Sequence, residues 1–234
     1  MDKMVISNMH TIDVQEPDFK SFRLFYSLNG NKRSKDILTF HDQVYVTIFN
    51  VTRKLLILTR HFRPAIYYNS VPIQDRQNNT IDTSKYPASL GITLEMCAGI
   101  VDKHKSLQEI AKEEVLEECG YDVPLYDLQK IASYRAGVGV QGSLQTMFYC
   151  EVTDDMKKGK GGGVEDEIIE VVEKSITDVE NWISGPGPLN SPPSCLFALM
   201  WFLRNKADKY RKSFERTCGE CKFVENDGFF VSCT

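Results

Sequence analysis

The chain has 234 residues, of which 42% are hydrophobic and 26% charged, so it can bury a sizeable core as one extended domain or two small ones. Its formal net charge of −4 argues against a nucleic-acid partner, although a local basic patch could still bind an anionic substrate. No apolar run is long enough to span a bilayer and the first ten residues lack a signal-peptide core, so we expect a cytoplasmic protein without a membrane partner.

Short strands are predicted along the first half of the chain. Segments rich in β-branched and aromatic residues and bounded by turn residues predict five of them: 19–28, 36–40, 43–49, 54–60 and 92–97. The third and fourth form a predicted hairpin. After it, the chain is expected to leave through Pro64 and to enter a polar, exposed loop over residues 69–90, and Gly99 is expected to break the fifth strand.

Strands and helices are mixed in the second half. Strands are predicted at 126–134, 144–152 and 167–173, and helices at 106–119, 176–183 and 192–211. The glycine run 159–163 is expected to form a mobile loop. Strands dominate and helices interrupt them late, which indicates an α+β layered fold rather than a doubly wound one. Three of the seven cysteines are expected to be reduced thiols in the core: Cys97, Cys119 and Cys150.

The helix predicted at 106–119 has well-specified ends. Ser106 and Glu109 match a capping box, with serine at the N-cap and glutamate three residues later. Gly120 stands where a left-handed residue ends a helix, and Tyr121 can supply the apolar contact that follows. The sequence therefore predicts both the existence and the length of this helix.

Three glutamates share one side of this helix. Glu114, Glu117 and Glu118 have helical spacing and extend an apolar stripe, the side that normally packs inward. Partly desolvated carboxylates repel one another and must be protonated, paired with bases or bound to a cation. Their hard oxygens favour Mg²⁺, Mn²⁺ or Ca²⁺, and Mg²⁺ commonly bridges one or two carboxylates to a substrate phosphate. The competing interpretation is a solvated acidic surface, which the apolar stripe and the flanking glycines disfavour.

The segment from Gly99 to Tyr121 resembles the Nudix box. That pattern is glycine, five residues, glutamate, seven residues, then Arg-Glu-hydrophobic-x-Glu-Glu-x-Gly-hydrophobic. Seven positions match in register: Gly99, Glu114, Val115, Glu117, Glu118, Gly120 and Tyr121. Two positions depart from it, because Lys105 replaces the first glutamate and Glu113 replaces the arginine. We identify the chain as a relative of the Nudix hydrolases on this spacing.

Four further segments are similar to the animal UDP-sugar pyrophosphatases, which are close to the ADP-ribose pyrophosphatases: 60–64, 94–99, 137–149 and 165–171. The resemblance implies a Nudix α/β/α sandwich around a mixed sheet, over residues 43–212. It also implies a β extension over 1–42 that forms a homodimer, whereas 213–234 is an appendage of unknown role. The implied reaction is hydrolysis of a nucleotide sugar, with UDP-glucose yielding UMP and glucose 1-phosphate.

The resemblance also implies roles for individual residues. Glu114 and Glu118 would bind Mg²⁺ (Mn²⁺ being an alternative), Glu117 would do so directly or through water, and the Ala98 carbonyl would be a further ligand. A later loop would deliver a carboxylate as base or ligand, and the residues at that place are Glu165 and Glu167. Two arginines just beyond a strand end are candidates to grip phosphate oxygens: Arg60 and Arg63.

Three alternatives stay open, one of which is an interaction protein that uses the basic stretch 204–216 and the cysteine-containing tail. The substrate could be ADP-ribose, because base recognition depends on loops whose shape the sequence does not specify. The chain could also be a catalytically inactive nucleotide-sugar binder, since the box arginine helps to orient a catalytic glutamate and Glu113 cannot. Lys112 and Lys105 are the neighbouring cations that could replace that arginine.

Overall fold

The structure, a computed structural model, describes residues 1, 4–10, 20–76, 80–164 and 167–211. The strands are β1 (Lys20–Leu28), β2 (Asn31–Thr39), β3 (Gln43–Asn50), β4 (Leu55–Phe62), β5 (Ile92–Glu95), β6 (Cys97–Ile100), β7 (Gln129–Arg135), β8 (Leu144–Val152) and β9 (Ile169–Ser175). The helices are α1 (Pro64–Ser70), α2 (Leu107–Cys119), α3 (Ile176–Ser184) and α4 (Pro193–Asn205). The predicted appendage 213–234 and Glu165 lie outside the described residues.

The main sheet opens into a fork that holds two short strands. β3 pairs with β4 only near their connecting turn, through Ile48–Asn50 and Leu55–Ile57. Further along, the two strands separate, and β6 pairs with β3 while β5 pairs with β4. On the outer sides β8 runs parallel to β3 and carries β7, and β9 pairs with β4. The fork leaves one edge of β6 open to side chains from a neighbouring helix.

Helices cover both faces of this sheet, so the expected α+β sandwich around a mixed sheet is confirmed. Because side chains alternate along each strand, the two faces build separate cores. One core packs against α2 and includes Val44, Val46, Ile57, Cys97, Ile110 and Val115. The other packs against α3 and α4 and includes Tyr45, Leu58, Met96, Val179, Ala198 and Phe202. Cys97, Cys119 and Cys150 are buried free thiols, as predicted.

Several predicted boundaries were wrong. The chain leaves the hairpin through Pro64 as predicted, but Pro64 also begins helix α1, which was not predicted, since proline suits the first turn of a helix. The segment 69–90 is partly packed, because Val71 and Ile81 join a small cluster around Tyr67. Gly99 lies inside β6 rather than breaking a strand, and Met96 separates β5 from β6.

Later boundaries also moved. The strand predicted at 126–134 is β7, Gln129–Arg135, since a short 3₁₀ turn follows Pro124. The strand predicted at 167–173 is β9, Ile169–Ser175, which is extended by pairing with β4 as far as the cap of α3. The helix predicted to reach residue 211 ends at Asn205, because Lys206 leaves the helical conformation.

The hairpin β1–β2 forms a separate two-stranded sheet. Its turn residues Asn29 and Gly30 both have positive φ, of 51° and 79°, which suits a tight two-residue turn. β2 therefore begins at Asn31 rather than at the predicted residue 36. Every residue of β1 is exposed. Within the described part of the chain, no helix has the length and apolarity required to cross a membrane.

Candidate active site

Helix α2 begins and ends where the sequence predicts. The Ser106 hydroxyl accepts a hydrogen bond from the Glu109 amide, and the Glu109 carboxylate accepts one from the Ser106 amide at 2.7 Å. At the other end Gly120 has φ +77° and donates its amide to the Leu116 carbonyl. Both capping predictions are confirmed, so the register of the glutamates on the helix is firmly set.

The glycine run packs against the C-terminal end of α2. The Gly162 amide donates to the Glu118 carbonyl at 2.8 Å, and the Gly163 amide donates to the Glu117 carbonyl at 3.2 Å. A Cβ at Gly161 would lie 2.1 Å from the Glu118 carbonyl oxygen. The run is a loop, as predicted, and it binds the end of the helix, because the last carbonyls of a helix need donors and this run supplies them.

Glu118 crosses from α2 to the open edge of β6. Only 6% of the residue is exposed, and its Oε2 accepts a hydrogen bond from the Ala98 amide at 3.1 Å. Burial raises the pKa of Glu118 to about 8, and repulsion from Glu114 adds to this while the Ala98 amide opposes it. A carboxyl group held in this state is a marker of a functional site.

Glu114 lies directly over Gly99. A Cβ at Gly99 would stand 2.2 Å from the Glu114 carboxyl carbon, so only glycine leaves room for this side chain. Burial raises the pKa of Glu114 to about 7, Glu117 adds repulsion, and the Lys103 ammonium opposes the shift. Glu117, one turn along the helix, is half-buried. Gly99, which begins the motif, and Glu114, its first helical glutamate, are thus in direct contact.

The Ala98 carbonyl opens towards the same place. In an antiparallel pair the amide and carbonyl of one residue point to the same side of the strand. Ala98 is opposite Tyr45 on β3, yet its amide donates to Glu118, so this residue turns its polar groups away from β3. The structure therefore gathers the Ala98 carbonyl, Glu114 and Glu118 at the open edge of β6.

Arg63 is fixed beside the glutamates by a buried acid. Its Nε and Nη2 donate to the two carboxylate oxygens of Glu95, at 2.7 and 2.9 Å, and the Thr93 hydroxyl donates to the same carboxylate at 2.6 Å. Burial opposes ionisation of Glu95, but these bonds hold its pKa below the ordinary value. Glu95 was not predicted as a site residue. The sequence did contain a signal for Glu95. It is an acidic residue in a strand and lies two positions after Thr93, so both side chains are on the same face of the sheet.

A cleft of about 290 Å³ lies next to Arg63 and is lined by Met4, His61, Phe62, Glu167, Ile168 and Ile169. The Glu167 carboxylate accepts a hydrogen bond from the Val164 amide at 3.1 Å. The negative charge of Glu167 contributes to raising the pKa values of Glu114, Glu118 and His61, so Glu167 lies near these three residues. Burial lowers the pKa of His61. Glu167 follows the glycine run, so the packing of that run on α2 positions it.

Arg60 does not join Arg63. Its Nη1 donates to Glu170 at 3.1 Å, and it lines a different cleft together with Lys174 and Trp182 of the α3 side. The reason is the period of a strand, since residues an odd number of positions apart face opposite sides of a sheet. Arg60 was expected to bind phosphate oxygens, but within one chain its place in this other cleft does not support that role.

The donor set fits a divalent cation with few protein ligands. Among the described residues, no three Asp, Glu, His or Cys side chains converge on one point as they stand. Mg²⁺, however, commonly takes only one or two carboxylates and completes its shell with water and substrate oxygens. Glu114 and Glu118, both desolvated and mutually repelling, are such a pair, and a cation would relieve the repulsion that raises their pKa values.

The raised pKa values predict how stability depends on pH when chelator removes divalent cations. Protonated Glu114 and Glu118 favour the fold, so their contribution is complete below the ordinary pKa near 4.5 and is lost as pH rises through about 7 and 8. We expect the melting temperature to fall by about 5 °C between pH 6 and 9, which corresponds to roughly 2 kcal/mol once solvent screening of the partly exposed Glu114 is allowed for. Thermal melts in EDTA would measure it.

The Glu114→Gln, Glu118→Gln double variant is the control, because it has neither titrating group. Its melting temperature should change less than that of the parent chain over the same pH range. Parallel curves for the two proteins would contradict the prediction.

Comparisons with known proteins show which family the chain belongs to. The chain is 37% identical to the uridine diphosphate glucose pyrophosphatase NUDT14 of Mus musculus, over 80% of this chain and 88% of the mouse protein. It is 38% identical to the Bos taurus protein of the same name, over 76% and 85%. A GDP-mannose pyrophosphatase of Salmonella typhimurium is 30% identical over 61% of this chain and 68% of its own. No family model matches the chain.

A solved structure described as an ADP compounds hydrolase shares the fold. Its TM-score is 0.54 at 17% identity, and the alignment covers 83% of this chain and 90% of that one. The relatives cover most of both lengths and share a single class of activity. The chain therefore belongs to the Nudix family of nucleotide-sugar pyrophosphatases.

Proposed function

We propose that this chain hydrolyses the diphosphate bond of a nucleotide sugar, with UDP-glucose as the first candidate and UMP and glucose 1-phosphate as products. One observation carries the proposal: the two desolvated glutamates of α2 lie at the open edge of β6, beside the cleft of Arg63 and Glu167. The relatives named as UDP-glucose pyrophosphatases, aligned over about 80% of the chain, support this substrate.

We propose Mg²⁺ as the cofactor, with Mn²⁺ as an alternative. Glu114, Glu118 and the Ala98 carbonyl would hold it, and Glu117 would bind it directly or through water. Such an ion neutralises diphosphate charge and orients an attacking water. The hydrogen bond from the Ala98 amide fixes Glu118 in place, and Gly99 gives Glu114 its space, so the carboxylates need little rearrangement before they bind.

The remaining residues handle substrate and proton. The Nε–Nη2 edge of Arg63 is bound to Glu95, which turns the Nη1 edge away from that acid and makes it available to a phosphate oxygen. Glu167 would accept the proton of the attacking water as the water oxygen bonds to phosphorus and the bridging P–O bond breaks. Glu165, outside the described residues, remains the alternative base.

Replacing Gly99 tests the contact with Glu114. In Gly99→Ala the new methyl carbon would stand 2.2 Å from the Glu114 carboxyl carbon, so this flexible side chain must swing away from the site. We expect kcat to fall about 100-fold, because a misplaced catalytic group loses its contribution, with little change in melting temperature. Gly139→Ala is the matched control, since a Cβ there meets open space. Equal kcat values for the two variants would contradict the contact.

A substrate panel tests the proposed reaction. UDP-glucose, GDP-mannose and ADP-ribose would each be incubated with the chain and Mg²⁺, beside a Glu117→Gln, Glu118→Gln double variant. Release of UMP by the parent chain and not by the variant is the expected result. Faster cleavage of ADP-ribose would move the assignment to the alternative substrate. Binding of UDP-glucose without cleavage would favour the inactive-binder alternative.

We also propose that two copies assemble through the β1–β2 hairpin. Phe22, Leu24, Tyr26 and Leu28 alternate along β1, so they share one face, and each is 42–53% exposed. An isolated two-stranded hairpin is marginally stable, and a contiguous exposed apolar patch marks an interaction surface. A second copy of the chain would cover this face.

Light scattering after size exclusion tests the dimer. The parent chain is expected at twice its mass of 26.7 kDa, and Leu24→Lys, Tyr26→Lys at the single mass, because buried lysines would oppose association. Lys32→Gln, an exposed change on β2, is the control and should stay dimeric. A parent chain at 26.7 kDa would exclude the assembly.

We further propose a cytoplasmic location. The buried cysteines Cys97, Cys119, Cys150 and Cys195 are free thiols, which suits a reducing compartment.

A further inference from the structure

The two departures from the Nudix box contact each other. Lys105 stands where the pattern has glutamate and Glu113 where it has arginine, and the Lys105 ammonium binds Glu113 Oε1. The other oxygen, Oε2, accepts a hydrogen bond from the Lys103 ammonium at 3.2 Å. Glu113 therefore bridges two lysines, one at each carboxylate oxygen, and this lysine–glutamate–lysine cluster carries one net positive charge.

Stability does not account for this cluster. Its three side chains are 29–44% exposed, and ion pairs at such exposure add little because water screens them. The arrangement does have a geometric consequence. The loop before α2 is tied to the second turn of the helix, and the Lys103 ammonium is held on the side where the glutamates lie.

Lys103 lies within the electrostatic reach of the site. Its hydrogen bond to Glu113 raises the pKa of Lys103, and the charges of Glu117 and Glu114 contribute as well. Lys112, one of the two lysines expected to replace the box arginine, instead forms an ion pair with Asp122 at 2.9 Å. Lys105, the other, is bound to Glu113. Among the described lysines of this region, Lys103 is thus the one placed to act on the glutamates.

We propose that Lys103, held by Glu113 and Lys105, is a positioning residue for Glu117 and takes the role left vacant by the box arginine. Glu113 and Glu117 are four residues apart on one helix face and repel each other. The Lys103 ammonium offsets that repulsion and draws the Glu117 carboxylate into place. This inference rests on the proposed hydrolase function.

The Lys103→Gln variant tests the positioning role through two measurements, the steady-state kinetics and the affinity for Mn²⁺. With UDP-glucose, kcat should fall about tenfold while KM changes less than twofold, as expected when a supporting contact around a site is removed. Mn²⁺ binding, measured by calorimetry without substrate, should weaken about threefold at an unchanged melting temperature, because Glu117, a proposed ligand of the ion, loses the contact that positions it. Lys112→Gln is the control, because Lys112 lies on α2 and is paired with Asp122, and it should change neither quantity.

Exchanging the charges gives the sharper test. Lys105→Glu, Glu113→Arg restores the residues of the usual box, so arginine can orient Glu117 itself. In that background Lys103→Gln should alter kcat and Mn²⁺ affinity less than twofold. A tenfold loss in kcat that persists there would overturn the proposal, because Lys103 would then act without Glu113.

Other outcomes also decide it. A higher KM with unchanged kcat in Lys103→Gln would make Lys103 a substrate contact rather than a positioning residue. Weaker Mn²⁺ binding together with a lower melting temperature would reduce it to a structural residue. If the parent chain cleaves nothing, the proposed function fails, and the Mn²⁺ measurement still decides the inference. Weaker Mn²⁺ binding by Lys103→Gln at an unchanged melting temperature, in the parent background but not in the exchanged one, supports it, and any other pattern overturns it.

Discussion

Glu118→Gln is expected to lower kcat about 1,000-fold, or about 4 kcal/mol in transition-state stabilisation, while the chain stays folded. Glutamine has nearly the same volume, and its amide oxygen can accept the hydrogen bond that the Ala98 amide now donates to Glu118. The charge is lost, however, and with it one of the two desolvated carboxylates that would hold Mg²⁺. Steady-state kinetics across Mg²⁺ concentrations would measure the loss.

Two features distinguish this loss from general damage. In EDTA at pH 9 the Glu118→Gln chain should melt at or above the temperature of the parent, because the parent carries a buried ionised carboxylate at that pH and the variant does not. Glu180→Gln, the same chemical change on α3 where Glu180 pairs with Arg211, should leave kcat unaltered. Parent-like turnover of Glu118→Gln would remove this residue from the site.

Gly161→Ala is expected to destabilise the fold by about 4 kcal/mol and to lower the melting temperature by roughly 10 °C. Gly161 has φ +69°, and its Cβ would lie 2.1 Å from the backbone oxygen of Glu118, where no side-chain rotation can relieve the clash. The glycine run must then leave the end of α2. Carbonyls of Glu117 and Glu118 lose their donors, each at a cost of about 1–3 kcal/mol.

Gly142→Ala is the matched control for this substitution. Gly142 has φ +76°, yet a Cβ there meets nothing within 4 Å, so the variant reports only the strain of a left-handed alanine, about 1 kcal/mol. Thermal or urea unfolding of the two variants would separate strain from clash. Because Glu167 follows the run, Gly161→Ala should also lower kcat. Equal stabilities for the two variants would show that the run does not support the helix.

Local patterns predicted the glutamate helix and its surroundings well. Capping residues and glycine preferences act within a few positions of the chain, so Ser106, Glu109 and Gly120 specified the ends of α2 before any tertiary contact was known. The helical period then placed Glu114 and Glu118 on one side. Alternation and strand propensity likewise predicted the β3–β4 hairpin and β8 close to their final positions.

Predictions failed where a distant segment decides the local structure. β9 took its bounds from pairing with β4, and the contact of the glycine run with the end of α2 was not predicted. Helix α1 was not predicted, and its residue Tyr67 packs in one buried cluster with Val71 and Ile81. Such contacts join residues far apart in sequence, which short windows cannot register.

By itself, the sequence determined which residues carry the chemistry: the glutamates of α2, the glycines that frame them and the membership of a family that cleaves nucleotide sugars. Tertiary structure alone decided which of them meet. Because strand alternation turns Arg60 away from the glutamates and the fork between β3 and β4 brings Glu95 and Ala98 towards them, the composition of the site follows from long-range pairing. Tertiary structure also decided that Glu113, which replaces the box arginine, pairs with both Lys103 and Lys105.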